Sequence, residues 1–281
     1  MSMSRSRVPA RLVLALCAGL LLLVAAAGTA RAADRDRLEA FLEVTGFGVA
    51  LDSIALAAAD APALLGLSAS DFGADWARVA GEVFDTGRMR DMGLDILAGT
   101  LSEEMLGHAA EFYASDLGQR LVEVENASHL HEDDAARRAE GEALLAEMEA
   151  GRIEVLEAMR DAIDSGDTGV RAVQEIQLRF LLAASYAGVL DYEVDEGALR
   201  SVLAQGEDAL REALDAAALA NSAYTYQALS TEDLRVYVDA LKHPVMQRVY
   251  ELMNAVQYEI MANRFEVLAV RMAEMHPAQE L

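Results

Sequence analysis

The 281-residue chain carries 47 acidic against 23 basic side chains, a net charge of -24, and 53% of its residues are hydrophobic. That is enough apolar sequence for one large core or two small ones, which excludes a disordered chain. Such an acidic surface repels phosphate backbones and anionic lipid headgroups, so nucleic acids and anionic membrane surfaces are excluded as partners, while cationic peptides, basic protein patches and hard cations are permitted.

The first predicted element is an export signal. Arg5, Arg7 and Arg11 form a cationic head, an apolar stretch covers residues 12–27, and Ala30-Arg31-Ala32 offers small residues at a cleavage site. Residues 1–32 are expected to leave as a signal peptide. The alternative is an N-terminal membrane anchor, because no charge falls between Leu12 and Ala30. Either way the body is expected in the periplasm or outside the cell. Cys17 follows Leu16 inside the apolar stretch, where a lipidated cysteine would follow a small residue, so it is expected to leave with the signal. No thiol would then remain, and the net charge moves from -24 to -28, since residues 1–32 hold four arginines and no acid.

Residues 34–60, 72–99, 135–163, 170–190 and 196–220 are rich in Ala, Leu, Glu and Arg at helical spacing, and strand-like alternation is absent. Breaks are expected near Thr45-Gly46, at Ala61-Pro62, at Asp164-Ser165-Gly166-Asp167 and between Ser222 and Ala228.

Between these stretches the chain repeats itself. "LSEEMLGHAAEFYASDLGQRLVEVENA" (101–127) and "LSTEDLRVYVDALKHPVMQRVYELMNA" (229–255) share nine identities in 27 positions at an offset of 128, where chance gives about two. Arg152-Ile153-Glu154-Val155-Leu156 is echoed by Arg264-Phe265-Glu266-Val267-Leu268 at an offset of 112, which places a 16-residue insertion in the first copy, near 130–147. The expected organisation is one repeat over 33–165 and a divergent second over 166–281.

Each copy has the same local grammar. Ser102 and Ser230 are N-caps with acids in the first turn, and Asp233 makes the second copy close to a capping box. Leu234, Tyr237, Val238 and Leu241 form a buried stripe that Leu106, Ala109, Ala110 and Tyr113 repeat. The helix must end before Pro244, which suits a new first turn, so His243 and its counterpart Ser115 are candidate caps. The new helix carries a packing stripe of Val245, Val249, Leu252, Val256 and Ile260 toward Met272; Met246, Met253, Met261, Met272 and Met275 read as core filler rather than copper ligands.

"EFYASDLGQR" (111–120) is similar to the F-Y-x-S-P-x-G-x-[KR] signature of bacterial periplasmic domain-of-unknown-function family 2059, and "LSEEML" to the Leu-[ST]-x-E-E-Leu opening of the preceding helix. "FLEVTGFGVAL" (41–51) also resembles that family's opening helix. The first copy keeps Leu101, Ser102, Glu104, Phe112, Tyr113, Ser115, Gly118 and Arg120, with Asp116 at the proline position. The second keeps Pro244 and Arg248, while Ala240, Leu241, His243 and Met246 replace the aromatic pair, serine and glycine. The resemblance implies an all-helical periplasmic domain in two tandem divergent copies, with no assigned activity. From the residues themselves the motif is structural: Phe112 and Tyr113 end one helix, Ser115 caps the next, and Gly118 lets the backbones approach at the corner.

Candidate chemistry is sparse. "HLHEDD" could place His129, His131, Glu132 and Asp134 around zinc or copper in an extended segment. "DSGDTG" (164–169) holds two Asp-[Ser/Thr]-Gly tripeptides, but tandem copies in one loop cannot converge as an aspartic-protease dyad must. Asn126-Ala127-Ser128 fits a glycosylation sequon, which the family resemblance, pointing to bacteria, gives little weight. Arg120 with Glu123 and Arg248 with Glu251 read as i,i+3 surface pairs, with Glu104 or Glu232 as alternatives. No nucleophile elbow, phosphate loop or zinc-protease helix stands out. The sequence therefore leads us to expect an all-α body of two tandem homologous, hairpin-rich repeats behind a signal peptide, non-enzymatic and without a cofactor. Its expected partner is an envelope protein. The alternative is an apolar small molecule or lipid in a groove between the repeats, lined by Tyr224, Tyr226, Tyr237, Tyr250 and methionines.

Overall fold

The computed structural model describes residues 34–163, 168–190 and 192–275; the expected signal peptide and the expected turn at 164–167 lie outside them. The chain is all-α, with no strand among the described residues.

Helix α1 (34–44) and α2 (Phe47–Ser53) meet at the expected break. Gly46 turns the chain there with a φ of 75°, a left-handed value that a side chain resists, and Thr45 Oγ1 donates to the Phe41 carbonyl at 2.7 Å. Short 3-10 segments, Ile54–Asp60 and Ala69–Asp75, flank α3 (Ala61–Leu64). Ala61-Pro62 thus opens a helix rather than ending one, because proline lacks only an N–H that the first turn leaves unused. The expected helix over 72–99 is split into α4 (Trp76–Val83) and α5 (Thr86–Thr100), since the Asp85 side chain accepts from Arg88 N at 2.8 Å and starts a new helix.

There follow α6 (Glu103–Tyr113), α7 (Asp116–His129), α8 (Asp134–Glu147), α9 (Ala150–Ile163) and α10 (Thr168–Tyr186). After them come α11 (Glu196–Gln205), α12 (Glu207–Thr225), α13 (Thr231–Leu241) and α14 (Pro244–Met275). The helix expected over 196–220 breaks at Gly206 and then runs on to Thr225. The segment read as an insertion forms α8, which packs on α12 so closely that a Cβ on Gly141 would stand 2.0 Å from the Ala220 carbonyl oxygen.

Helices α6, α7 and α13 and the start of α14 repeat their boundaries at the 128-residue offset: Glu103 and Thr231, Tyr113 and Leu241, Asp116 and Pro244. Ser102 Oγ accepts from Met105 N at 3.3 Å and Ser230 Oγ from Asp233 N at 3.0 Å. Ser115 Oγ accepts from Gly118 N at 3.1 Å, and His243 Nδ1 from Val245 N at 3.3 Å. A Cβ on Gly118 would lie 2.4 Å from the Phe112 carbonyl oxygen, so only glycine allows this corner.

The ion pairs differ from the expected i,i+3 pattern. Arg120 grips Asp233 with two N–H donors at 2.9 and 3.2 Å, and Arg248 reaches Glu104 at 3.2 Å. Each arginine crosses to the first turn of the other hairpin, because the corners lie side by side there; His108 stacks on His243 at 4.2 Å in the same region.

One apolar core runs from Leu38 to Met272. α14 is its axis, with α10, α6, α5 and α4 packed around it. A helix with neighbours on several sides buries more than one stripe: Met246, Met253, Phe265, Leu268 and Met272 are buried beside the expected valines, whereas Leu252 is only partly so. Among the described residues no helix is long and apolar enough to cross a membrane.

Candidate functional site

The end of α7 carries Glu125 four residues beyond the fully buried Leu121, on the stripe that also holds the buried Ser128. A carboxylate on a packing face requires partners. They come from the second hairpin and the turn before it. Tyr226 Oη donates to Glu125 Oε1 at 2.7 Å, and Tyr237 Oη donates to the same oxygen at 3.0 Å.

Each phenol has a single proton, which orders the rest of the network. Tyr237, having donated to Glu125, can only accept from Tyr250 at 2.7 Å and from Tyr113 at 3.0 Å, and Tyr113 and Tyr250 share a hydrogen bond with each other. Tyr113 and Tyr250 thus feed Tyr237, which donates to Glu125, with Tyr226 arriving from the other side. Phe112 lies parallel to the Tyr237 ring at 5.9 Å, and Phe47 meets Tyr250 edge-on at 5.5 Å. The aromatic pair of the "EFYASD" motif therefore buttresses and extends this network, a role in addition to the corner geometry read from the sequence.

Burial acts on every member in the same sense. It raises the Glu125 carboxyl to about 7, against the opposing pull of the Tyr226 and Tyr237 hydrogen bonds. It raises all four phenols, which stay protonated donors. Among the described residues, Glu125 Oε2 takes no hydrogen bond.

Glu125, Tyr226, Tyr237 and Tyr250 line a cavity of about 330 Å³. Thr45, Gly46 and Phe47 at the α1–α2 corner close one side; Asn126 and His129 of α7, Asn221 and Thr225 of α12, and Met253, Asn254 and Gln257 of α14 supply the rest, with Arg137 of α8 and Ile163. The α14 residues follow from helical spacing: 250, 253, 254 and 257 share one face. A Cβ on Gly46 would lie 2.9 Å from Asn126 Oδ1, so the corner seats on α7 only with glycine there.

Two wall oxygens, Asn126 Oδ1 and Asn221 Oδ1, are buried without a hydrogen-bond partner, as is Arg137 Nε. Arg137 otherwise donates to the Ser128 carbonyl at 2.6 Å and to Asp134 at 2.6 Å. Burial first, and then Arg137, lower the pKa of His129 and hold the imidazole neutral. Thr225 Oγ1 donates to Ser128 Oγ at 2.7 Å, and among the described residues neither hydroxyl bonds to His129, so no Ser–His or Thr–His pair is assembled.

Several of the residues singled out in the sequence lie elsewhere than expected. The groove's walls are more apolar than polar, with the free Glu125 oxygen set among them. Tyr226, Tyr237 and Tyr250 line it as expected, but Tyr224 faces His131 instead, at 5.8 Å. His129, His131, Glu132 and Asp134 do not converge on a metal: His129 lines this cavity, whereas His131 Nδ1 accepts from Asp133 N at the open mouth of α8 and Asp134 pairs with Arg137. Among the described residues no group of three or more His, Cys, Asp or Glu side chains could hold a metal ion. Leu101 is half-buried, and Glu104 and Arg120 lie on the surface in the cross-hairpin pairs. Glu125, Asn221 and the relay role of Tyr113 were missed; the available signal was an acid four residues after Leu121 on a buried stripe.

Fold and site together define an all-helical module with a tyrosine-lined cavity between two helical hairpins. Residues 87–147, which supply Glu125, Asn126, His129 and Arg137, are similar to the family described as "Uncharacterized protein conserved in bacteria (DUF2059)", whose model matches that stretch. The match runs on through α8, and Tyr226, Tyr237 and Tyr250 lie beyond it. No curated protein and no solved structure matches the chain.

Proposed function

We propose that this chain is a non-enzymatic, exported binding module that holds a small polar molecule in the cavity at Glu125, between two hairpins descended from one duplicated unit. The observation that carries the reading is a cavity with aromatic walls and a carboxyl held from behind by two tyrosines, leaving one oxygen free. Ligand sites have this construction: a concave volume, apolar and aromatic walls, and a few oriented polar groups.

The common helix boundaries at the 128-residue offset support the duplication. Where the first copy has α7, α8 and α9, the second runs straight through as α14, which fits the changed offset of the Arg152 and Arg264 echoes. The cationic head, apolar stretch and Ala-Arg-Ala site of residues 1–32 support export.

Native mass spectrometry of the protein purified from its own cells tests the reading. A chain beginning at Ala33 with a bound small molecule is the expected result. An apo mass that also fails to take up any compound from a mixed small-molecule library would overturn the binding reading, and a retained residue 1 would overturn cleavage. Partner binding has its own support in the exposed rings of Tyr186 and Tyr192 beside α11, and a protein that co-purifies through that end and leaves the cavity empty would favour it.

A further inference from the structure

We propose that the molecule bound at Glu125 is a small primary amine, its ammonium group donating to Glu125 Oε2. The proposal rests on the reading of the cavity as a ligand site and names the ligand's chemistry.

Glu125 Oε2 has no hydrogen bond among the described residues and, unlike the oxygens of Asn126 and Asn221, is not closed off by its neighbours. Hydrogen bonds to a charged acceptor are among the stronger ones, so an occupant that supplies a charged donor is favoured. An ammonium meets that need with three N–H donors and no acceptor.

Charge points the same way. Glu125 is the acid in the wall; of the two basic residues there, Arg137 is paired with Asp134 and His129 is held neutral. The rings of Phe47, Tyr226, Tyr237 and Tyr250 line the same space, and aromatic faces attract cations. A net charge of -24 draws cations from solution toward the chain. At about 30 Å³ per water-sized group, a cavity of about 330 Å³ accepts a compact molecule.

The carboxyl is well placed for this pairing. With its value near 7, Glu125 ionises near neutral pH, its proton passing to solvent, and the carboxylate forms a charge-assisted pair with an arriving ammonium. The phenol relay stabilises the anion from behind as it forms.

The test uses the purified protein with three probes of one chain length: hexylamine, hexanol and hexanoate, followed at pH 8 by titration calorimetry and saturation-transfer NMR. Hexylamine is expected to bind at least about tenfold more tightly than the other two, and Glu125→Gln to weaken it about tenfold to a hundredfold with the circular dichroism spectrum unchanged. Equal or tighter binding of hexanol or hexanoate overturns the amine assignment and leaves the binding reading standing. Hexylamine binding that Glu125→Gln does not alter places the amine on the acidic surface and also overturns the assignment. If no probe binds and native mass spectrometry finds the apo chain, both readings fall; if no probe binds but another molecule is found, only the amine is lost.

Discussion

Replacing Glu125 by glutamine should change the protein's stability in a pH-dependent way whose sign follows from the site. Glutamine keeps the oxygen that accepts from Tyr226 and Tyr237 and cannot ionise. In the folded wild type the carboxyl is raised by burial to about 7 from an ordinary 4.5. The folded state therefore holds a proton that the unfolded state has lost between those values, and stability must fall as pH rises through that window. The contribution is fully present below about pH 4.5 and is gone above about pH 7. At roughly 1.4 kcal/mol per pH unit, the wild type should lose about 3 kcal/mol relative to Glu125→Gln. Urea denaturation of both proteins at intervals from pH 4.5 to 8, at fixed ionic strength, measures this directly, because every other titrating group is common to the pair. Two stability curves that stay parallel would refute the reasoning and place Glu125 in contact with bulk water. A gap that widens with falling pH would mean the carboxylate is stabilised rather than strained.

Tyr237→Phe removes one donor to the carboxylate and should raise the Glu125 midpoint further, readable by NMR titration of the side-chain carboxyl; a lowered midpoint would mean the phenol accepts from a protonated Glu125. Gly141→Ala should destabilise by about 1–3 kcal/mol or more through overpacking, since its Cβ meets the Ala220 carbonyl at 2.0 Å, whereas Gly107→Ala, on an open face of α6, should stabilise by roughly 0.5–1 kcal/mol. Equal thermal midpoints for the two variants would contradict the α8–α12 contact. Arg120→Ala and Arg248→Ala should each cost no more than about 1 kcal/mol, less at high salt, because both pairs are exposed.

Much of the fold was legible locally. Ser102, Ser115 and Ser230 cap the helices the sequence assigned to them, since a cap depends only on residues within one turn. Gly46 and Pro244 mark their boundaries for similar reasons of backbone sterics. The breaks at Phe84-Asp85 and Gly206 were not anticipated, because an apolar spacing that continues across a break hides it. The methionines of α14 were read as packing, and Met246, Met253 and Met272 are buried.

The sequence by itself determined the all-α class, the hairpin corners and the tyrosines available for a site, because periodicity, capping and proline sterics act over a few residues. Only the tertiary structure decided that Arg120 and Arg248 cross between hairpins, that His129 and His131 face different spaces, and that a free carboxylate oxygen sits in the groove. Those outcomes depend on which face of α7 meets α12, α13 and α14. Glu125 reads in sequence as one more acid on an acidic chain; it becomes a site because packing seats it against the hydroxyls of Tyr226 and Tyr237 and leaves one oxygen facing a cavity.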